Sequence, residues 1–248
     1  MDIGRALSLL TRLPLPKAWM IGDDKRSPAE AAWAYPIVGA LVGGVGALTI
    51  TFVLAIGLPS AVAALCAVGA MIIITGALHE DGLADCADGF WGGWDKERRL
   101  AIMKDSQIGT YGVLSLVLCI GLRVSLIATL IEHEGYAVAM IATAMMSRAA
   151  MVGIMHALPH ARQTGLSATT GRPARSVTGA ALLIFFTVHL LVGPAPVIVS
   201  LGTVALTLLC LGALARAKVS GQTGDVLGAT QQVVEVVLLS LYVTSMSS

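Results

Sequence analysis

Four carboxylates fall within nine residues of one another, at Glu80, Asp81, Asp85 and Asp88, in the stretch His79-Glu80-Asp81-Gly82-Leu83-Ala84-Asp85-Cys86-Ala87-Asp88-Gly89. Asp81, Asp85 and Asp88 are spaced i, i+4, i+7. On a helix at about 100° per residue they share an arc of roughly 60°. Three carboxylates on one face repel each other unless cations lie between them. Hard oxygen donors suit Mg²⁺ or Mn²⁺, with phosphate oxygens completing the shell. Such ions can hold the attacking and leaving oxygens of a phosphoryl displacement, and a spare carboxylate can act as general base. Small residues Gly82, Ala84 and Ala87 leave room beside the acids. The bland alternative is a solvated acidic helix end, but no Lys is interspersed among the acids.

Further candidates lie along the chain. Asp105 is either another metal ligand or a charge at the start of a helix. Lys104, Arg98 and Arg99 suit diphosphate oxygens or membrane-side anchoring. Thr223-Gly224-Asp225 opens a helix whose N-terminus favours an anion, unless Asp225 is only its cap. Glu235, with Gln231 and Gln232 one turn before it, lies inside an apolar stretch, as do Arg123 and Arg148. Charges in such places pair with one another or line a polar substrate cavity. Trp91 and Trp94 suit an interfacial belt or stacking on a flat ring.

The elements that hold these residues are apolar. The 248-residue chain is 56% hydrophobic and 12% charged, about half the charge of an average soluble domain. Ala31 to Leu78 and Ser176 to Ala215 contain no Asp, Glu, Lys or Arg, and each is long enough for two spans of roughly 20 residues. The expected architecture is all-α, a polytopic membrane protein of a single domain over 1–248. Spans are expected at about 33–57, 60–78, 111–131, 136–158, 177–192, 197–215 and 226–246, with the second running on into the acidic stretch. Gly39, Gly43, Gly44 and Gly46 in the first allow close helix packing. Ile3 to Leu13 reads as an amphipathic interfacial helix rather than a signal peptide. Cys66, Cys86, Cys119 and Cys210 show no metal or redox spacing, which leaves packing as their role.

Apart from Arg123 and Arg148, every Lys and Arg falls before the first span or between spans two and three, four and five, or six and seven. All those segments share one face, which the positive-inside rule makes cytoplasmic, and the acidic stretch shares it too. A net charge of +1 excludes a strongly basic nucleic-acid-binding surface.

The acidic block, together with Ile102-Met103-Lys104-Asp105-Ser106-Gln107-Ile108-Gly109-Thr110-Tyr111-Gly112-Val113, resembles the cobalamin synthase family, the adenosylcobinamide-GDP ribazoletransferases. Leu10-Thr11-Arg12-Leu13-Pro14-Leu15-Pro16, Tyr35-Pro36-Ile37-Val38-Gly39 and Thr223-Gly224-Asp225-Val226-Leu227-Gly228-Ala229 are similar to that family as well. Cys86 and Gln107 depart from its usual pattern without touching a carboxylate. The resemblance implies a multi-pass enzyme of the bacterial cytoplasmic (inner) membrane with its active site on the cytoplasmic side. It implies transfer from adenosylcobinamide-GDP to α-ribazole, or α-ribazole 5′-phosphate, with release of GMP and a requirement for Mg²⁺. Asp81, Asp85 and Asp88, with Glu80 and Asp105, would hold the metal. Lys104, Arg98, Arg148, Asp225 and Glu235 would face the substrates. The nucleophile would be the ribazole 5′-hydroxyl or 5′-phosphate. A homo-oligomer is compatible with this reading. Two other classes compete. One is a CDP-alcohol phosphotransferase, which shares the Asp81-Gly82 start and then departs at Asp85. The other is a divalent-cation channel, against which stands the absence of carboxylate pairs in opposing spans.

Overall fold

The computed structural model describes residues 2–16, 27–194 and 196–246. Lys17, Lys25 and Arg26 of the N-terminal basic flank, and Ala195 of the break before the sixth span, lie outside them. The described chain is helical, with no strand among the described residues. In order, the helices are α1 (Asp2–Leu10), a 3₁₀ helix (Pro28–Ala34) leading directly into α2 (Tyr35–Ala55), α3 (Ser60–Thr75), α4 (Leu78–Gly92), α5 (Lys96–Ile102), α6 (Thr110–Glu132), α7 (Tyr136–Ala157), α8 (Leu166–Thr170), α9 (Arg175–Val192), α10 (Val197–Val219) and α11 (Gly224–Met246).

Among the described residues, six helices are long and apolar enough to cross a membrane: α2 with its 3₁₀ extension, α6, α7, α9, α10 and α11. The pair α3 and α4 passes the same test only when taken together and is bent by 90° at the break, a broken span or a re-entrant pair. This corrects the expectation that the second span runs straight on into the acidic stretch. The helix stops at Thr75 because Gly76 turns left-handed (φ 64°). Its N–H donates to Ile73 O (3.1 Å), and the next N–H, of Ala77, donates to Ile72 O (2.9 Å), a pattern that closes a helix C-terminus. Ala77 is itself left-handed (φ 57°), which costs a residue with a Cβ about 1–2 kcal/mol. The chain leaving α1 braces this corner. Arg12 N donates to Ile74 O (2.8 Å), and the Arg12 side chain occupies the space that a Cβ on Gly76 would need.

Contacts fix both ends of the bundle. At one end, Lys218 Nζ donates to Phe90 O (3.0 Å), Arg216 to Ala157 O (3.3 Å), and Ser27 Oγ to Thr170 O (3.1 Å). The described basic loops and α4–α5 therefore gather on one face, as the distribution of basic residues required. At the other end Tyr136 meets Thr51 (3.0 Å) and Tyr242 donates to Val192 O (2.5 Å). In the middle, α7 is the most enclosed span and α11 the next. Gly39 and Gly43 let α2 press against the α7 backbone at Ala144 and Met140, whereas Gly44 faces open space. Outward faces of α6, α9 and α10 expose Leu118, Leu190, Leu191, Ile198 and Leu209. Apolar faces of this extent, on a bundle of these lengths, are those of a multi-pass membrane protein. Helix α1 buries Ala6 and Leu10 against the bundle and is tied to it by Trp33 Nε1 donating to Asp2 Oδ2 (3.0 Å). The four cysteines are free.

Candidate active site

Helix α4 distributes its acids among three jobs. Asp88 is buried, and both its oxygens accept backbone N–H groups from the start of α6: Gly109 N to Oδ2 (2.7 Å) and Gly112 N to Oδ1 (2.9 Å). A Cβ at either glycine would strike this carboxylate. Asp88 thus satisfies two of the orphan donors that open α6, the task the sequence left open for Asp105. Asp105 is exposed and accepts Gln107 N (3.2 Å).

Glu80 is also buried but points elsewhere, because adjacent helical residues diverge by about 100°. Its Oε1 accepts Arg123 Nη1 (3.0 Å) and Gln232 Nε2 (2.9 Å). Arg123 Nη2 donates to Glu235 Oε1 (3.0 Å), Arg123 Nη1 also donates to Gln232 Oε1 (3.1 Å), and Gln231 bridges Glu235 to Ser147. Arg148 donates to Ala144 O (3.0 Å) and stands within Coulombic reach of Glu235 and Glu80. The hollow among these groups leaves no room for a water molecule. Arg148 and Glu235, expected against substrate, belong instead to this closed network between spans, where buried charges hold each other. Arg98 and Lys104 are exposed. Arg99 is a brace, donating to Gly93 O (3.0 Å), Trp94 O (3.0 Å) and Lys218 O (3.1 Å).

Asp81 faces a cavity of about 240 Å³ between α1, the start of α2, α4, α7, the 159–175 loop and the start of α11. Its apolar lining is buried, with Leu10, Tyr35, Met151, Met155 and Leu227 forming a floor, and its polar lining is Asp81, Arg162, Ser167 and Asp225, of which Asp81 is exposed. Asp225, 144 positions after Asp81, is brought here because α4 and α11 cross in close contact at two glycines. A Cβ on Gly82 would lie 2.8 Å from Asp225 O, and one on Gly228 would lie 3.2 Å from His79 O. Gly82→Val should therefore push the two helices apart and lower turnover at least about tenfold by misplacing the carboxylates. Steady-state rates beside a detergent-resistant fold would check this; an unchanged rate would show that the crossing does not set the site.

Asp85, one turn beyond Asp81, feels the charges of Asp81, Asp225 and Asp88, opposed by Arg162. Arg162 Nη2 donates to Asp225 Oδ2 (3.2 Å), which also accepts Thr223 Oγ1 (3.1 Å). The loop bearing Arg162 is fixed by a short parallel bridge, Ala161 N to Gln222 O (2.9 Å) and Gln222 N to Pro159 O (2.8 Å), with Ser167 Oγ donating to Gln222 Oε1 (2.5 Å). Arg162 and Ser167 were not singled out by the sequence; only their place in a polar loop pointed to them. His79 is buried beside the cavity with Nε2 unpartnered among the described residues.

The profile of the cobalamin-5-phosphate synthase family matches residues 2–243. The chain belongs to that family. Curated relatives named adenosylcobinamide-GDP ribazoletransferase include one from Sinorhizobium medicae, 42% identical over 96% of this chain and 94% of its own length. Another, from Brucella anthropi, is 39% identical over 96% of this chain and 95% of its own, and one from Brucella canis is 42% identical over 94% and 92%. No solved structure matches the chain. As a member of the cobalamin-5-phosphate synthase family, it carries its cavity-side acids on two helices, Asp81 on α4 and Asp225 on α11, with Asp85 one turn beyond Asp81. Among the described residues, no three His, Cys, Asp or Glu side chains stand close enough together to grip an ion. Asp81 and Asp225 are hard oxygen donors of the kind divalent cations take, and they line an open cavity with one guanidinium, Arg162, beside them. Relative to the sequence expectation, Asp81 and Asp85 remain candidate ligands, Asp225 joins them, and Glu80 and Asp88 have other partners.

Proposed function

We propose that this chain is a Mg²⁺-dependent transferase of the cytoplasmic (inner) membrane that joins adenosylcobinamide-GDP to α-ribazole 5′-phosphate, or α-ribazole, and releases GMP. The observation that carries the reading is the meeting of Asp81 and Asp225 on one cavity, with Asp85 one turn along α4 within reach of both charges, in a chain that matches the family over nearly its whole length.

The family's description, cobalamin-5-phosphate synthase, supports a nucleophile other than the ribazole 5′-hydroxyl or 5′-phosphate. A product that keeps a 5-phosphate cannot have formed through that phosphate or the 5′-oxygen beneath it. Another ribose hydroxyl of the acceptor attacks the cobinamide-side phosphorus. Its oxygen gains the new P–O bond, the bridging P–O bond of the diphosphate breaks, and the electron pair leaves with GMP. The proton passes to a carboxylate, and Asp81, which faces the cavity, is placed to take it. Asp81, Asp85 and Asp225 would hold Mg²⁺, which when bound neutralises diphosphate charge. Arg98 and Lys104, exposed on the same face, suit the outer part of the bulky donor.

The gathering of the described basic loops at one end supports a cytoplasmic orientation. A cation channel is disfavoured by the closed hollow around Arg123 and Arg148. Purified protein in liposomes, given adenosylcobinamide-GDP, acceptor and Mg²⁺, should release GMP and cobalamin product in equal amounts, and EDTA should stop both. No GMP with either acceptor would overturn the reading.

A further inference from the structure

Resting on that reading, we infer that the cavity beneath Arg162 is the acceptor's site: the flat base of the ribazole lies on the apolar floor, and Arg162 binds its 5′-phosphate.

Size makes the first selection. At about 240 Å³, below the roughly 300–1,000 Å³ of drug-sized pockets, the cavity has room for one ring system with a sugar beginning to emerge. A corrin macrocycle with its amide side chains is far too large, so the donor must approach from the open face.

Chemistry makes the second. The floor offers Leu10, Tyr35, Met151, Met155 and Leu227. A guanine there would bury several donors and acceptors against hydrocarbon and thioether, each unpaired group opposing binding. A dimethylbenzimidazole presents a hydrocarbon edge instead, and methionines pack well on flat rings. The donor's guanosine is therefore excluded from the floor and the ribazole base is not.

Arg162 makes the third. Its Nη2 holds Asp225 (3.2 Å), while its Nη1 is buried and has no partner among the described residues. A guanidinium with an unused donor at a cavity mouth is suited to a phosphate, to which Arg presents a planar fork. Gly165 lets the loop turn beside this group with a left-handed backbone (φ 96°). The charged groups lining the cavity are Arg162, with Asp225 held against it, and Asp81. That arrangement places the phosphate at Arg162 and the ribose hydroxyls toward Asp81. The 5′-phosphate is then a recognition handle that survives the reaction.

The test compares α-ribazole 5′-phosphate with α-ribazole as acceptors, in the full-length protein in nanodiscs with Mg²⁺. Wild type should favour the phosphorylated acceptor in kcat/KM by about 10- to 100-fold, as charge-assisted hydrogen bonds allow. In Arg162→Gln the ratio should fall toward one, chiefly through KM, and Arg162→Lys should restore part of it. A binding measurement stands beside the rates. α-Ribazole 5′-phosphate alone should raise the unfolding temperature of wild type and do so much less for Arg162→Gln, while the shift produced by GMP should be the same in both. Equal losses for both acceptors would make Arg162 only a brace for Asp225 and overturn the inference, as would loss of the GMP shift in place of the acceptor shift. Absence of GMP release in wild type would instead strike the transferase reading, and the binding shifts would still decide the acceptor site.

Discussion

Arg123→Leu will lower the unfolding temperature of the detergent-solubilised protein by about 6–20 °C. Arg123 is 1% exposed and holds Glu80 and Glu235, each at 3.0 Å, from two other helices. Leucine keeps the bulk and removes the charge, leaving two buried carboxylates against one remaining guanidinium, Arg148. Stranding a charge in this way costs about 3–5 kcal/mol, and for a chain of this size each kcal/mol moves Tm by about 2–4 °C. The count also supplies a rescue. Two carboxylates face two guanidiniums in the native cluster, so adding Glu80→Gln to Arg123→Leu restores neutrality and should regain about half the loss. Intrinsic tryptophan fluorescence during heating reads both. A single variant that melts with wild type, or a double variant worse than the single, would show that the network does not hold the bundle.

The spans were legible because uncharged runs of this length have few other uses, and a bilayer enforces the reading. That Arg123 and Glu235 pair was legible for the same reason, since buried charges must find each other. Gly76 was hidden. Inside an apolar run a glycine reads as a packing contact, and only the left-handed turn it shares with Ala77 reveals a corner. Asp88 was misjudged because a carboxylate that binds cations and one that caps a helix 21 residues later look alike in sequence; the clue was the pair Gly109 and Gly112, where a Cβ has no room. Glu80 stands beside Asp81 in the chain yet faces the opposite task, a consequence of helical rotation rather than composition. Arg162 looked like one more loop cation. Its partner Asp225 is 63 residues away, and nothing local announces a contact made by packing α11 on α4.

Asp81→Ala, Asp85→Ala and Asp225→Asn will each reduce GMP release by about 10²- to 10⁴-fold, the range over which positioned proton-transfer groups act, while the fold is retained. Asp85 and Asp225 have one neutralising neighbour, Arg162, and both are repelled by Asp81, so this repulsion works against the folded state. Removing one should leave Tm unchanged or raise it slightly, the usual sign of a group kept for function at the expense of stability. Asp88→Ala will behave differently. It strips two backbone N–H groups at the start of α6 of their acceptor, a capping loss of about 0.5–2 kcal/mol, so its Tm should fall by several degrees as its rate declines. Mg²⁺ titration separates the roles further. If Asp81, Asp85 and Asp225 hold the cation, each substitution should raise the Mg²⁺ concentration for half-maximal rate, whereas Asp88→Ala should move it little. Near-normal turnover in both Asp81→Ala and Asp85→Ala would sink the carboxylate site even if the family assignment stands. A rate loss that tracks Tm in all four variants would reduce these acids to scaffolding.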